Sequence, residues 1–313
     1  MLDIVLVAVG IVLLYGGGES LVTGSTALAR RVGMSPLVVG LTVVAFGTSA
    51  PELAATRAAA LQGTPEIAFG NVVGSNVFNV GLILGIAAVV FPLAARGRFL
   101  RREMPFMIFT GFLMLALVAD GRVGRFEGLL LLALLALYLG VLLRKDEESE
   151  RIAQEFAQEF GEVTGSLWGS TFRIALGIAI LVLGAKVLVL GAVGLARELG
   201  VSERVIGLTI VACGTSLPEL ASSVVAAARR EGDIVLGNIV GSNVFNVLAI
   251  LGTTSVVAPI RVEVGAGVWV DLGVMLLFSV VLWPFLISRR RLDRWEGVVL
   301  LTGFAAYMVW LFV

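Results

Sequence analysis

A glutamate directly behind a proline, in the middle of a long apolar run, limits most sharply what this chain can fold into. The stretch is Gly47-Thr48-Ser49-Ala50-Pro51-Glu52-Leu53, and it returns 167 residues later as Gly214-Thr215-Ser216-Leu217-Pro218-Glu219-Leu220. Hydrophobic residues make up 58% of the chain and charged residues only 15%, too apolar a balance for a soluble globular domain. Several runs reach the roughly 20 apolar residues that a membrane-spanning helix needs. At that depth a carboxylate is costly, so it marks a functional site by default.

The inventory of side chains excludes several chemistries. With no histidine and a single cysteine, Cys213, the chain has no imidazole relay and no thiolate or zinc cluster. An internal disulfide is impossible, and no nucleophile–base pair suggests an enzyme. The net charge is zero and no basic, aromatic-interleaved patch is present, so no nucleic-acid partner is expected. The first apolar run lacks a basic leader, which reads as a retained span rather than a cleaved signal.

Ten apolar segments are expected, near 3–29, 36–62, 66–91, 103–119, 126–143, 171–196, 203–228, 233–258, 267–287 and 295–312. The first five and the last five are separated by a polar stretch, residues 144–169. It carries seven acids, and Ile152, Phe156, Phe160 and Val163 recur at helical spacing, as expected of an amphipathic surface helix. Arginine and lysine are biased to one side: 16 fall in the loops after segments 1, 3, 5, 7 and 9, and five in the opposite loops. By the positive-inside rule both termini lie outside and the acidic connector is cytoplasmic, in a multi-pass protein of the cell membrane.

Shifting the chain by 167 aligns Gly40–Gly85 with Gly207–Gly252 without a gap, giving 28 identities in 46 positions. A second match, Arg125-Phe126-Glu127-Gly128 against Arg294-Trp295-Glu296-Gly297, extends the repeat. Each copy has five spans, an odd number, so the second enters the membrane from the other side. The expected fold is an all-α integral membrane protein with ten transmembrane helices in two inverted five-helix repeats. Residues 1–143 and 170–313 form the repeats, as in secondary transporters with a site near the midplane.

Pro51 cannot donate to the carbonyl of Gly47, so the helix is disrupted there and carbonyls between Ala45 and Thr48 need other partners. Ser49 and Glu52, three residues apart, share a face. Segments 3 and 8 carry Gly70-Asn71-Val72-Val73-Gly74-Ser75-Asn76-Val77-Phe78-Asn79 and Gly237-Asn238-Ile239-Val240-Gly241-Ser242-Asn243-Val244-Phe245-Asn246. Ser75, Asn79, Ser242 and Asn246 are expected to contact a cation, whereas Asn76 and Asn243 suit helix packing. Such hard oxygen donors fit calcium, sodium or magnesium.

These two motif pairs resemble the alpha repeats of the cation/calcium exchangers, and specifically of the sodium/calcium exchanger branch, with a ten-span layout that covers the whole chain. The resemblance implies a sodium/calcium antiporter working by alternating access, with segments 1 and 6 moving across the core. It implies that Glu52 and Glu219, with the backbone oxygens of Thr48 and Thr215, hold calcium. The hydroxyls of Ser49, Ser75, Ser216 and Ser242 and the carbonyls of Ala45 and Ala212 would complete neighbouring sodium sites. Calcium and sodium are then transported substrates rather than cofactors, and the partners are these ions and the bilayer around a monomer. The potassium-dependent branch carries Asp where this chain has Asn246, so potassium independence is expected. The proton/calcium branch reads Gly-Asn-Ala where this chain has Gly-Thr-Ser, which favours sodium and leaves a proton/calcium antiporter as the alternative. Two carboxylates balance one calcium or two sodium ions, whereas the resemblance implies three sodium ions per calcium.

Three other charges sit inside apolar runs. Arg57, which has no counterpart in the second copy, is expected to reach the interface or pair with Glu66. Glu19 and Lys186 occupy equivalent positions, but the inversion separates them, so each is expected to meet headgroups or a vestibule on its own side. The run Gly16-Gly17-Gly18 would let segment 1 lie close against the core.

Overall fold

A computed structural model of the chain describes residues 1–95, 97–144, 166–201, 210, 212–263 and 265–312. The expected connector helix and the start of segment 7 lie outside the described residues. The helices are α1 Leu2–Val32, α2 Pro36–Thr48, α3 Ala50–Leu61, α4 Pro65–Val90, α5 Met104–Val118 and α6 Arg125–Leu142 in the first half. The second half supplies α7 Leu167–Glu198, α8 Leu217–Ala228, α9 Gly232–Val257, α10 Ala266–Arg289 and α11 Arg294–Phe312. Six of these are long and apolar enough to cross a bilayer, and the bent pair α2–α3 makes a seventh. Apart from segment 7, whose start is not described, the observed ends fall within a few residues of the apolar runs read from the sequence.

The centre of the bundle is built from α4 and α9, whose apolar windows are 78% and 94% buried, against 28% and 33% for α1 and α7. A helix buried on all sides cannot carry a polar residue without a partner for it, so the serines and asparagines of α4 and α9 must be satisfied inside the protein. Their glycines permit the necessary approach. A Cβ on Gly237 would lie 2.6 Å from the carbonyl oxygen of Leu37, and one on Gly241 2.8 Å from that of Leu41, so α9 rests backbone to backbone on α2.

On the outside, α1 and α7 pack antiparallel along a seam of small residues. Gly10 faces Leu188, Gly17 faces Leu181 and Gly24 faces Ile174, a step of seven residues on each helix. The expectation for Gly16-Gly17-Gly18 is met in part. Gly17 serves α7 and Gly18 lies against Val225 and Ala221 of α8, while Gly16 has no neighbour within 4 Å among the described residues.

Two short strand pairs tie the halves together at their loops. β1 Leu93–Ala94 pairs antiparallel with β4 Arg291–Leu292, and β2 Arg122–Val123 with β3 Ile260–Arg261. Next to each clasp the Arg-Phe/Trp-Glu-Gly repeat finds its physical meaning. Glu127 accepts the N–H of Gly124 at 2.9 Å and Glu296 that of Asp293 at 2.7 Å, each capping the start of its helix. The following glycines, Gly128 and Gly297, lie against the carbonyls of Gly252 and Gly85, so the cap also sets how closely the two halves meet.

Candidate ion-binding site

The break in segment 2 falls at Ser49, whose φ of −81° and ψ of 6° leave the helical region, and α3 departs from α2 by 44°. Ser216 repeats the break with φ −92° and ψ 6°. A serine at a helix start ordinarily accepts an N–H of its own first turn. Neither of these does so, and both hydroxyls are spent across the repeat. Ser216 Oγ donates to Glu52 Oε1 at 2.8 Å, and Ser49 Oγ donates to Glu219 Oε1 at 3.0 Å. Each glutamate therefore sits in the first turn of its own half-helix, where the helix dipole favours a negative charge, and is held by the other half's serine.

The hydroxyls of the two central helices extend each cluster. Ser75 Oγ lies 3.5 Å from Ser216 Oγ, and Ser242 Oγ lies 3.1 Å from Ser49 Oγ. The structure thus brings together Glu52, Ser216 and Ser75 on one side and Glu219, Ser49 and Ser242 on the other. All six are buried, Glu52 at 2% and Glu219 at 1% exposure. Neither glutamate has a cationic side chain as partner among the described residues, and the second carboxylate oxygen of each is left without a hydrogen bond. Two enclosed carboxylates without a counter-charge are costly, and a cation between them would remove that cost.

One turn along the same faces stand Asn79 and Asn246, each 1% exposed. Both open a stretch of wide, i→i+5 turns, Asn79–Leu84 and Asn246–Leu251, a distortion often found at functional sites. Their amide nitrogens bond across the bundle, Asn79 Nδ2 to Asn243 Oδ1 at 3.0 Å and Asn246 Nδ2 to Asn76 Oδ1 at 2.9 Å. Their side-chain oxygens, like Oε2 of each glutamate, have no hydrogen-bond partner among the described residues.

The remaining predicted residues lie at the breaks themselves. Thr48 is buried, and its Oγ1 reaches the carbonyls of Val44 and Ala45 and, at 3.1 Å, Oδ1 of Asn238. The carbonyl of Ala45, expected from the sequence to need a partner, accepts the N–H of Ser49 at 3.0 Å and has Thr48 Oγ1 at 3.4 Å. The second half differs here, because the N–H of Ser216 turns to Cys213 at 3.1 Å. Ala212 begins the short turn Ala212–Gly214, and Thr215 is half-buried in the break.

Several residues were missed or misjudged in the sequence. Asn238 links Thr48 to Ser222 and Ser223, and Asn71 bonds Thr56 and the carbonyl of Glu52. Their signal was present, since both open the repeated Gly-Asn motif. Asn76 and Asn243, expected to serve helix packing, bond between helices to Asn246 and Asn79, in keeping with that role. Glu19 is corrected: it pairs with Arg229 at 2.9 Å, because the start of α8's following turn comes up beside α1. Arg57 is exposed and makes no ion pair with Glu66 among the described residues.

Residues 2–144 and 169–313 match the family described as sodium/calcium exchanger protein. The chain belongs to this family. It is 33% identical over 345 residues to the sodium/calcium exchanger MaX1 of Methanosarcina acetivorans, covering 99% of this chain and 98% of that one. It is 35% identical over 316 residues to the inner membrane protein YrbG of Escherichia coli, covering 99% and 96%. A structure of the sodium-calcium exchanger NCX_Mj soaked with 2.5 mM Na+ and 0.1 mM Ca2+ superimposes with a TM-score of 0.84 at 30% identity, covering 99% of this chain and 98% of that one. The family is one of membrane cation/calcium exchangers rather than enzymes, and the all-helical membrane fold agrees with it.

Proposed function

We propose that this exchanger uses a sodium gradient to move calcium across the cell membrane by alternating access, without a potassium requirement. The observation that carries the reading is the pair of buried carboxylates, each bonded by the opposite half's serine and each retaining one unpartnered oxygen. Glu52 and Glu219 together match the charge of one calcium ion. The backbone oxygens of Thr48 and Thr215, the carbonyls of Ala45 and Ala212, and the hydroxyls of Ser49, Ser75, Ser216 and Ser242 complete the calcium and sodium positions. Asn79 and Asn246 contribute neutral carbonyl oxygens. With amides at both positions the cluster holds two carboxylates among the described residues, which supports potassium independence. Residues 1–143 and 170–313 act as the two inverted repeats of a monomer, with both termini outside and residues 144–169 in the cytoplasm.

The test is calcium uptake into proteoliposomes with sodium, proton and potassium gradients imposed in turn. Uptake driven by the sodium gradient alone is expected. Uptake that follows a pH gradient in the absence of sodium would replace this reading with proton/calcium antiport.

A further inference from the structure

The amides of Asn79 and Asn246 each have an oxygen end and a nitrogen end, and only the oxygen end can receive a cation. Something must decide which end faces the cluster. In both halves the answer runs through a second amide to a sulfur. Asn79 Nδ2 donates to Asn243 Oδ1 at 3.0 Å, and Asn243 Nδ2 donates to Met107 Sδ at 3.5 Å. In the other half Asn246 Nδ2 donates to Asn76 Oδ1 at 2.9 Å, and Asn76 Nδ2 donates to Met275 Sδ at 3.5 Å. All six side chains are at least 95% buried, so water does not compete for their hydrogen bonds.

We propose that Met107 and Met275 are positioning residues which, through Asn243 and Asn76, point the carbonyl oxygens of Asn79 and Asn246 at the transported cation. The physical reason is that a thioether accepts hydrogen bonds and cannot donate one. The neighbouring amide must therefore present its N–H to the sulfur and its oxygen to the next amide. That oxygen in turn demands the N–H of Asn79 or Asn246, and the last oxygen is left buried without a hydrogen-bond partner among the described residues. Were the first amide reversed, its oxygen would face the sulfur lone pairs and the final amide would offer N–H to a cation.

The relay also explains why an amide, rather than a carboxylate, fits at position 246. Asn76 offers oxygen to that position, and a carboxylate there would meet oxygen with oxygen. Asn76 could reverse only by turning its own oxygen onto Met275. The inference rests on the reading of the cluster as a cation site, and the experiment separates the two.

Calcium affinity is measured by titration calorimetry on the purified full-length protein, with thermal unfolding as the check on folding. The variants are M107L, M275L, N246D, M275L/N246D and, as reference, E52Q/E219Q. Leucine conserves volume and removes only the acceptor. M107L and M275L should fold and bind calcium more weakly, by about tenfold for an oxygen ligand exchanged for an N–H. The sign must reverse in the second background, where M275L frees Asn76 to donate to Asp. M275L/N246D should therefore bind calcium more tightly than N246D. A purely structural role for Met275 would lower affinity in both backgrounds. Wild-type affinity in M107L and M275L, or the same loss in both backgrounds, overturns the proposal. Retained affinity in E52Q/E219Q overturns the cation-site reading and this inference with it.

Discussion

The contact between α2 and α9 makes a quantitative prediction through Gly237. A Cβ there would stand 2.6 Å from the carbonyl oxygen of Leu37, 2.9 Å from the nitrogen of Leu41 and 3.0 Å from the Cα of Gly40. All three are backbone atoms, so no side chain can turn away. Ordinary contact begins near 3.4 Å, so G237A must separate the helices by about 0.8 Å, the difference between 3.4 and 2.6. The next residue, Asn238, holds Thr48 at 3.1 Å, and the same displacement would stretch that bond to about 3.9 Å, beyond hydrogen-bonding range. Replacing a helical glycine with alanine ordinarily gains up to about 1 kcal/mol, while overpacking of this kind costs about 1–3 kcal/mol. A net loss of about 1–2 kcal/mol is expected, together with weaker calcium binding. G273A, at an exposed helical glycine with no neighbour within 4 Å, carries the gain without the clash and serves as control. Thermal unfolding in detergent and calcium titration of both variants read the two effects. If G237A unfolds no lower than G273A and binds calcium as wild type does, the backbone contact does not hold the site together.

Three further outcomes follow from the same geometry. E52Q and E219Q should each abolish calcium uptake into proteoliposomes while the protein still folds, and uptake surviving either change would refute the two-carboxylate site. S49A and S216A each remove a charge-assisted hydrogen bond worth about 1.5–3 kcal/mol, so calcium affinity should fall by about tenfold or more and by similar factors in the two, measured by titration. E127A and E296A should each lower thermal stability by about 1 kcal/mol through loss of a helix cap, with calcium affinity kept, and an affinity loss would show that the clasps reach the site.

The spans were legible because each buries a long apolar run that nothing else in water could shelter, and the two breaks because Pro51 and Pro218 lack an N–H. The pairing of Glu52 with Ser216 and of Glu219 with Ser49 was not legible. Sequence spacing places Ser49 and Glu52 on one face of one helix but says nothing about which helix crosses in front of it. The direction of the asparagine amides was hidden for a second reason. Asn79 and Asn246 open wide turns, so the 3.6-residue period that tells which residues share a face breaks down just where the candidate ligands stand. Glu19 was misplaced because its partner, Arg229, follows a span that the repeat pairs with segment 2 rather than with segment 1.

The glycine seam between α1 and α7 has a mechanical consequence. Its contacts recur every seventh residue on both helices, at Gly10, Gly17 and Gly24 against Leu188, Leu181 and Ile174. A slip of one helix along the other by a single residue, about 1.5 Å, would take every glycine off its opposing residue at once. Matching contacts return only after a full repeat, about 10.5 Å. The two helices are therefore geared together like a rack whose teeth are all engaged, and one can travel along the core only by carrying the other with it. Locked together, they would move as one body, so a stroke of that pair would displace its two ends by the same distance and link the two faces of the bundle through a rigid part.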